Sequence, residues 1–208
     1  MTSTTMRAAV LETYGGPFRV TQIARPDPGP GQVLVRIAAS GVNPLDTKIR
    51  AGAAAHAQHP LPAILGIDLA GTVEAVGPGV DGFHRGNEVY GMTGGVGGHQ
   101  GSLADYAAVD AGLLARKPSN LSMREAAALP LVVITAWEGL VDRAHVTSGQ
   151  KVLVQGGGGG VGHVAVQIAR ALGAEVYATD GAEKKALIEG LGAVAIDFRA
   201  QSVEDHVA

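Results

Sequence analysis

Five consecutive glycines, Gly156 to Gly160, stand between the strand-like run Val152-Leu153-Val154 and a helical pattern that begins at Val161. Glycine weakens both kinds of element, because it loses more backbone freedom on ordering than any other residue. The run must therefore do something that side chains would prevent. Gly157-x-Gly159-x-x-Gly162 has the GxGxxG spacing and lies between strand and helix, as a dinucleotide fingerprint requires. In that motif the first glycine permits a tight turn, the second admits a pyrophosphate and the third lets the helix pack on the strand. Gly156, Gly160 and Val161 complete the loop. The first N–H groups of the helix, at the positive end of its dipole, would face the phosphates. The alternative reading is a flexible loop.

The residues beyond the glycines agree with the first reading. Val161, Val164, Ala165, Ile168, Ala169 and Leu172 recur at helical spacing, and a second strand, EVYAT, leads to Asp180, 18 positions beyond Gly162. An acid near that spacing meets the ribose hydroxyls, which favours NAD(H). Lys184 and Lys185 can pair with a 2′-phosphate, which favours NADP(H), or form the solvated face of the next helix. The choice stays open.

The rest of the chain divides by texture. Met6–Thr13, Phe18–Ile23 and Gln32–Ala38 read as strands, followed by AGTVEAV, NEVYGM and ADYAAV, with Gly- and Pro-dense turns between. Ser122 and Glu125 match a capping box at a helix start, and Pro130 marks a break or kink in the helical sequence that runs to ITAWEGLVDRA. From Lys151, strand and helix alternate in the manner of βαβ units with a parallel sheet. The expected class is α/β, with a β domain over residues 1–125 and a dinucleotide-binding domain over 126–208.

Composition removes other classes. A net charge of −3 without a Lys/Arg cluster argues against nucleic acid, and no apolar run reaches bilayer length, which argues against a membrane protein. The absence of cysteine excludes thiolate metal sites and fits a reducing, cytoplasmic setting. The N-terminus lacks the features of a secretory signal.

The segments GQVLVRIAASGVNPLDTKIRAG, LGIDLAGTVEAVGPGV, GSLADYAAV, EAAALPLVVITAWEGL and VLVQGGGGGVGHVAVQIARALGA stand in the order seen in medium-chain dehydrogenases/reductases. The chain resembles the zinc-free quinone oxidoreductase branch of that family, the zeta-crystallin-like proteins, over nearly its whole length. The resemblance implies a GroES-like β domain and a doubly wound Rossmann domain that enclose an active-site cleft, and a homodimer. It places Asn43 and Asp46 at the cleft beside the nicotinamide and has Thr135 touch that ring. Zinc-dependent relatives carry a ligand cysteine where this chain has Asn43, and a His-Glu pair where it has Ile67-Asp68, so no zinc is expected. His56 and His59 are the nearest approach to a ligand pair, without a third partner nearby in sequence. His99 and His163 read as surface or packing residues.

Without a Lewis acid, alcohol oxidation is hard, whereas a quinone or an α,β-unsaturated carbonyl accepts hydride and moves the charge onto oxygen. The implied function is an NAD(P)H-dependent reductase of such small molecules. A zinc-independent alcohol or aldehyde reductase and a non-catalytic NADPH-binding, crystallin-like protein are the alternatives. Asn43 is an uncharged donor for an acceptor carbonyl, and Lys48 can donate a proton or bind an oxyanion, although Thr47 and Lys48 depart from the zeta-crystallin pattern. Simpler readings remain for each. NPLD is a turn with Asp46 satisfying local N–H groups, Asp46 and Lys48 pair as a structural ion link, and Thr135 bonds back to its own helical turn. The sequence ends just past the third Rossmann strand, AVAID, and the expectation is that it is part of a longer protein.

Overall fold

The computed structural model describes residues 4–201 and Asp205. The expected outer limits of both domains, at residues 1 and 208, lie outside those residues. In the first unit, β1 (Thr5–Leu11) pairs antiparallel with β2 (Phe18–Ala24), in a register that sets Thr5 opposite Ala24 and Leu11 opposite Phe18. β1 ends two residues before the expected Thr13, because the chain is already turning toward Gly15, whose φ of 74° belongs to the left-handed region.

β3 (Gln32–Ser40) leads through Gly41 and Val42 into α1 (Pro44–Arg50), and β4 (Ala63–Ile64) closes back on β1. β5 (Asp68–Val76), β6 (Glu88–Met92), β7 (Tyr106–Asp110) and β8 (Ala115–Arg116) follow. They build an antiparallel five-stranded sheet in the order β7-β3-β5-β6-β8. Its core is β-branched: Val33, Val35, Val73, Val89 and Val109 close on Leu69 and Ala107, the packing that alternating strand residues provide.

The helical sequence after Leu121 forms in pieces. α2 (Met123–Ala127) starts at Ser122, whose N–H donates to Glu125 Oε2 at 2.8 Å while Glu125 N–H donates to Ser122 Oγ at 3.3 Å, as the capping-box spacing predicts. α3 (Pro130–Trp137) opens on its proline, which has no N–H to lose at that position, and continues as a π-helical stretch over Glu138–Arg143. The units divide between Leu131 and Val132, a few residues beyond the expected 125/126. The reason is packing: Ala126 and Ala127 of α2 are buried against Ala70 of β5, so this helix stays with the first unit.

The second unit is a parallel three-stranded sheet, β11-β10-β9, made of β9 (Lys151–Gln155), β10 (Glu175–Asp180) and β11 (Val194–Asp197). α4 (Gly160–Ala171) connects the first two strands, and α5 (Lys185–Gly190) precedes the third. Val164, Ala165, Val166 and Ala169 of α4 pack with Val154, Val176, Ala178 and Ile188. Small alanines facing each other let helix and sheet approach closely. The alternation of elements thus produces the parallel α/β arrangement that the sequence predicts.

Candidate functional site

The glycine loop is built by three different constraints. Gly156, directly after β9, has φ 68° and makes the turn. This corrects the expectation that Gly157 does so. Gly157 is instead required by closeness, since a methyl there would lie 2.5 Å from Ala178 Cβ in β10. Its N–H donates to the Thr179 carbonyl at 2.9 Å, which ties the loop to that strand. Gly162, inside α4, has the role the motif assigns it: a methyl would collide with the Gly156 carbonyl oxygen and stand 2.7 Å from its carbon.

Gly159 caps α4 without a side chain to offer, so nothing covers the helix start from within that residue. The amides of Gly160 and Val161 begin the helix, where N–H groups have no intrahelical acceptor. This is a surface of donors with room for an anion, and it fits a dinucleotide pyrophosphate. His163 adds a contact that spacing did not assign: its Nδ1 lies 2.9 Å from the Gly159 carbonyl, so Nδ1 carries the proton and the ring braces the loop.

Asp180, at the end of β10, accepts from Gly158 N–H through Oδ2 and from Gly181 N–H through Oδ1, both at 2.8 Å. Gly158 was not singled out by the sequence, because it occupies a variable position of the motif. The structure requires it, since a methyl there would lie 2.9 Å from Lys184 Cβ and Cγ and 3.0 Å from Asp180 Oδ2. Lys184 is exposed and, among the described residues, in no ion pair, whereas Lys185 pairs with Glu189 at 3.8 Å. Gly156, Gly157, Gly159, Gly160, Val161, Gly162, Asp180 and Lys184 are therefore brought together. Thr135 is exposed on α3; Val132, three residues earlier on that helix, reaches within 3.7 Å of where a Gly160 side chain would start.

The first unit holds a second polar group. Asn43 stands before α1, and its own backbone N–H donates to Asp46 Oδ2 at 2.7 Å. This is the local turn chemistry expected of NPLD. The side chain does something longer-ranged: Asn43 Nδ2 donates to Asp68 Oδ2 at 2.9 Å, across 25 residues of sequence. Asp68 is 0% exposed and Asn43 5%. Asp68 Oδ1 accepts from the Leu131 N–H at 3.1 Å, so each carboxylate oxygen has a donor.

Burial pushes the Asp68 carboxyl up to about 6, with Asp46 repelling its charge, against the hydrogen bonds from Asn43 and Leu131. Burial also raises Asp46, opposed by N–H groups that include those of Asn43 and Ile67. Asp68 is the residue whose part the sequence reading did not anticipate. Its only signal was an acid among apolar neighbours at the head of a strand.

Lys48 does not join this group. It is exposed on α1, two residues from Asp46, and side chains at that helical spacing point apart. Among the described residues no Asp46–Lys48 ion pair exists, so the expected structural ion link does not form. His59 is buried, with Nε2 2.8 Å from the His99 carbonyl and Nδ1 3.1 Å from the Pro60 carbonyl, while His56 is exposed.

These residues do not fit zinc. The Asn43 amide nitrogen is spent as a donor, Ile67 has no donor atom, and both Asp68 oxygens accept N–H groups. Among the described residues no cluster of three His, Cys, Asp or Glu has ligand geometry. No helix among them is long and apolar enough to cross a membrane.

Residues 29–119 match the alcohol dehydrogenase GroES-like domain. The chain is 40% identical over 210 residues to the chloroplastic NADPH-dependent alkenal/one oxidoreductase of Arabidopsis thaliana, covering 96% of this chain and 54% of that protein. It is 38% identical over 183 residues to the quinone oxidoreductase of Homo sapiens, covering 86% and 54%. A crystal structure of an alcohol dehydrogenase superfamily protein from Novosphingobium aromaticivorans superposes with a TM-score of 0.94 at 64% identity, over 97% of this chain and 61% of that one. The chain spans about half the length of the curated relatives it matches. It belongs to the medium-chain dehydrogenase/reductase superfamily, in the quinone oxidoreductase-like branch.

Proposed function

We propose that the whole protein is a reductase that passes hydride from a reduced nicotinamide dinucleotide to a quinone or an α,β-unsaturated carbonyl, with no metal in the step. The observation that carries this reading is Asn43. A buried, uncharged amide held by Asp68 occupies the position at which zinc-dependent relatives carry a ligand cysteine. The names of the Arabidopsis and human relatives support the acceptor class.

The dinucleotide, when bound, supplies the hydride. Gly160 and Val161 offer their amides to its pyrophosphate, while Gly159 closes the turn by donating to the Gly156 carbonyl at 2.9 Å, and Gly157 and Gly162 keep that loop free of side chains. Asp180 and Lys184 are the charged groups beside the loop that set the balance between NAD(H) and NADP(H). Asn43 presents its amide NH2 to the acceptor oxygen, where charge accumulates as hydride adds. A conjugated acceptor spreads that charge, so a neutral donor suffices, whereas an alcohol would need its hydroxyl acidified. The proton that completes the reduction comes from solvent.

The test is a titration of the whole protein with NADPH and with NADH, followed by nicotinamide fluorescence, and then addition of a quinone or an enone. Binding followed by loss of the signal supports the reductase. Binding that survives a saturating panel of acceptors refutes it and leaves a dinucleotide-holding protein; no binding refutes the reading of the glycine loop. We further propose a homodimer in the cytoplasm, checked by light scattering of the whole protein and by cell fractionation.

A further inference from the structure

A buried carboxylate is an expensive way to fill space, because desolvation opposes its charge. Asp68 sits at the head of β5 with no exposed surface, in a fold that fills neighbouring positions with Leu, Val and Ala. What distinguishes it from an apolar or amide residue is that both oxygens only accept when it is ionised. Each meets a donor from a different part of the chain: the Asn43 side chain ahead of α1 and the Leu131 N–H in the first turn of α3. The backbone closes around this point as well. Gly41 N–H donates to the Asp68 carbonyl at 3.1 Å, and a methyl on Gly41 would overlap the Ala127 carbonyl and lie 3.0 Å from Asp68 Cβ.

Asn43 is consequently held twice, its backbone N–H by Asp46 and its side chain by Asp68. A free asparagine amide turns over at little cost, exchanging its carbonyl and NH2 ends. Facing an acceptor-only carboxylate, it keeps one end in place. We propose that Asp68 is a positioning residue for the reduction: it fixes which end of the Asn43 amide is the NH2 group that meets the acceptor oxygen. This rests on the proposed reductase function. Asp68 itself touches neither acceptor nor dinucleotide in this scheme and acts through Asn43 alone.

A double-mutant cycle in the whole protein tests this. Asp68→Asn keeps the shape but puts an NH2 group against one of two donors, so Asn43 or Leu131 loses its partner. The expected fall in kcat with a quinone is about 10- to 100-fold, the cost of a misplaced donor. Asn43→Ala alone causes a similar fall. In the Asn43→Ala background, Asp68→Asn then changes kcat by less than about threefold, because the group it positions is gone. Dinucleotide Kd stays at the wild-type value throughout, since the glycine loop takes no part.

If the two losses multiply, or if Kd moves together with kcat, Asp68 is only structural and the proposal is overturned. A wild-type protein that turns over no acceptor refutes the reductase reading itself, a distinguishable result. Should Asp68→Asn fail to fold, the Asn43 side-chain NH2 signals of the wild-type protein decide by NMR. An NH2 proton protected from solvent exchange supports an amide held by Asp68; both protons exchanging at the rate of a free asparagine amide overturn it.

Discussion

Replacing Gly162 with alanine sets two effects of opposite sign against each other. Gly162 lies within α4, and glycine to alanine inside a helix gains about 1 kcal/mol from backbone entropy. The added methyl would collide with the Gly156 carbonyl oxygen and lie 2.7 Å from its carbon and 2.9 Å from Gly157 Cα. All of these are backbone atoms, which cannot swing aside as the end of a side chain can. Reaching ordinary contact requires the loop to move by more than about 1 Å. Overpacking of this kind costs about 1 to 3 kcal/mol, so the net expectation is a loss of up to about 2 kcal/mol. The loop that moves is the one proposed to carry the pyrophosphate donors. Losing one charge-assisted hydrogen bond there weakens dinucleotide binding at least about tenfold.

Gly190 is the control. It ends α5, has nothing within 4 Å of an added methyl and has no left-handed φ, so Gly190→Ala gains at most about 1 kcal/mol. Urea unfolding of both variants, with dinucleotide titrations beside it, separates the cases. A Gly162→Ala protein that matches or exceeds wild-type stability and binds the dinucleotide normally would refute the close approach of turn and helix on which the site depends.

Asp68 gives a pH signature. Its folded-state carboxyl rises from 3.8 to about 6, so the folded protein holds that proton more tightly than the unfolded chain. Stability on this account is greatest below about pH 4, falls as pH rises toward 6 and is level above, by on the order of 3 kcal/mol at about 1.4 kcal/mol per unit. Asp46 shifts in the same direction and adds to the slope. Urea midpoints at several pH values should show a slope in the wild type that is reduced in Asp68→Asn; identical slopes would refute it. Ser122→Ala removes the acceptor for Glu125 N–H and should lower stability by about 1 kcal/mol, read from the same unfolding curves. Asp180→Ser relieves repulsion of a 2′-phosphate, and Lys184→Ala removes attraction. The NADPH/NADH affinity ratio should therefore rise in the first and fall in the second, each by about tenfold, and movement in the opposite direction would exclude these residues as the discriminators.

Local patterns carried the architecture. Alternating apolar residues in Gln32–Ser40 and Asp68–Val76, the capping box at Ser122, and the strand–glycine–helix order around Gly156 each act over a few neighbours, and a few neighbours are what periodicity records. The glycine loop was legible for that reason, down to the close packing at Gly162 and the place of Asp180 beside it. Its internal assignment was not. Which glycine turns and which one merely has to be small depends on where Ala178 of β10 lies, and that is a contact between strands. Lys48 looked equivalent to Asp46 in NPLDTKIR until α1 turned it toward solvent. Asp68 showed least of all. An acid at a strand head is ordinary in any sequence, and its part was decided only when folding carried Asn43 and Leu131 across 25 and 63 residues to its two oxygens. A sequence shows which elements bury their faces because burial repeats along the chain. It does not show which polar groups meet inside, because a hydrogen bond between distant residues leaves no period to read.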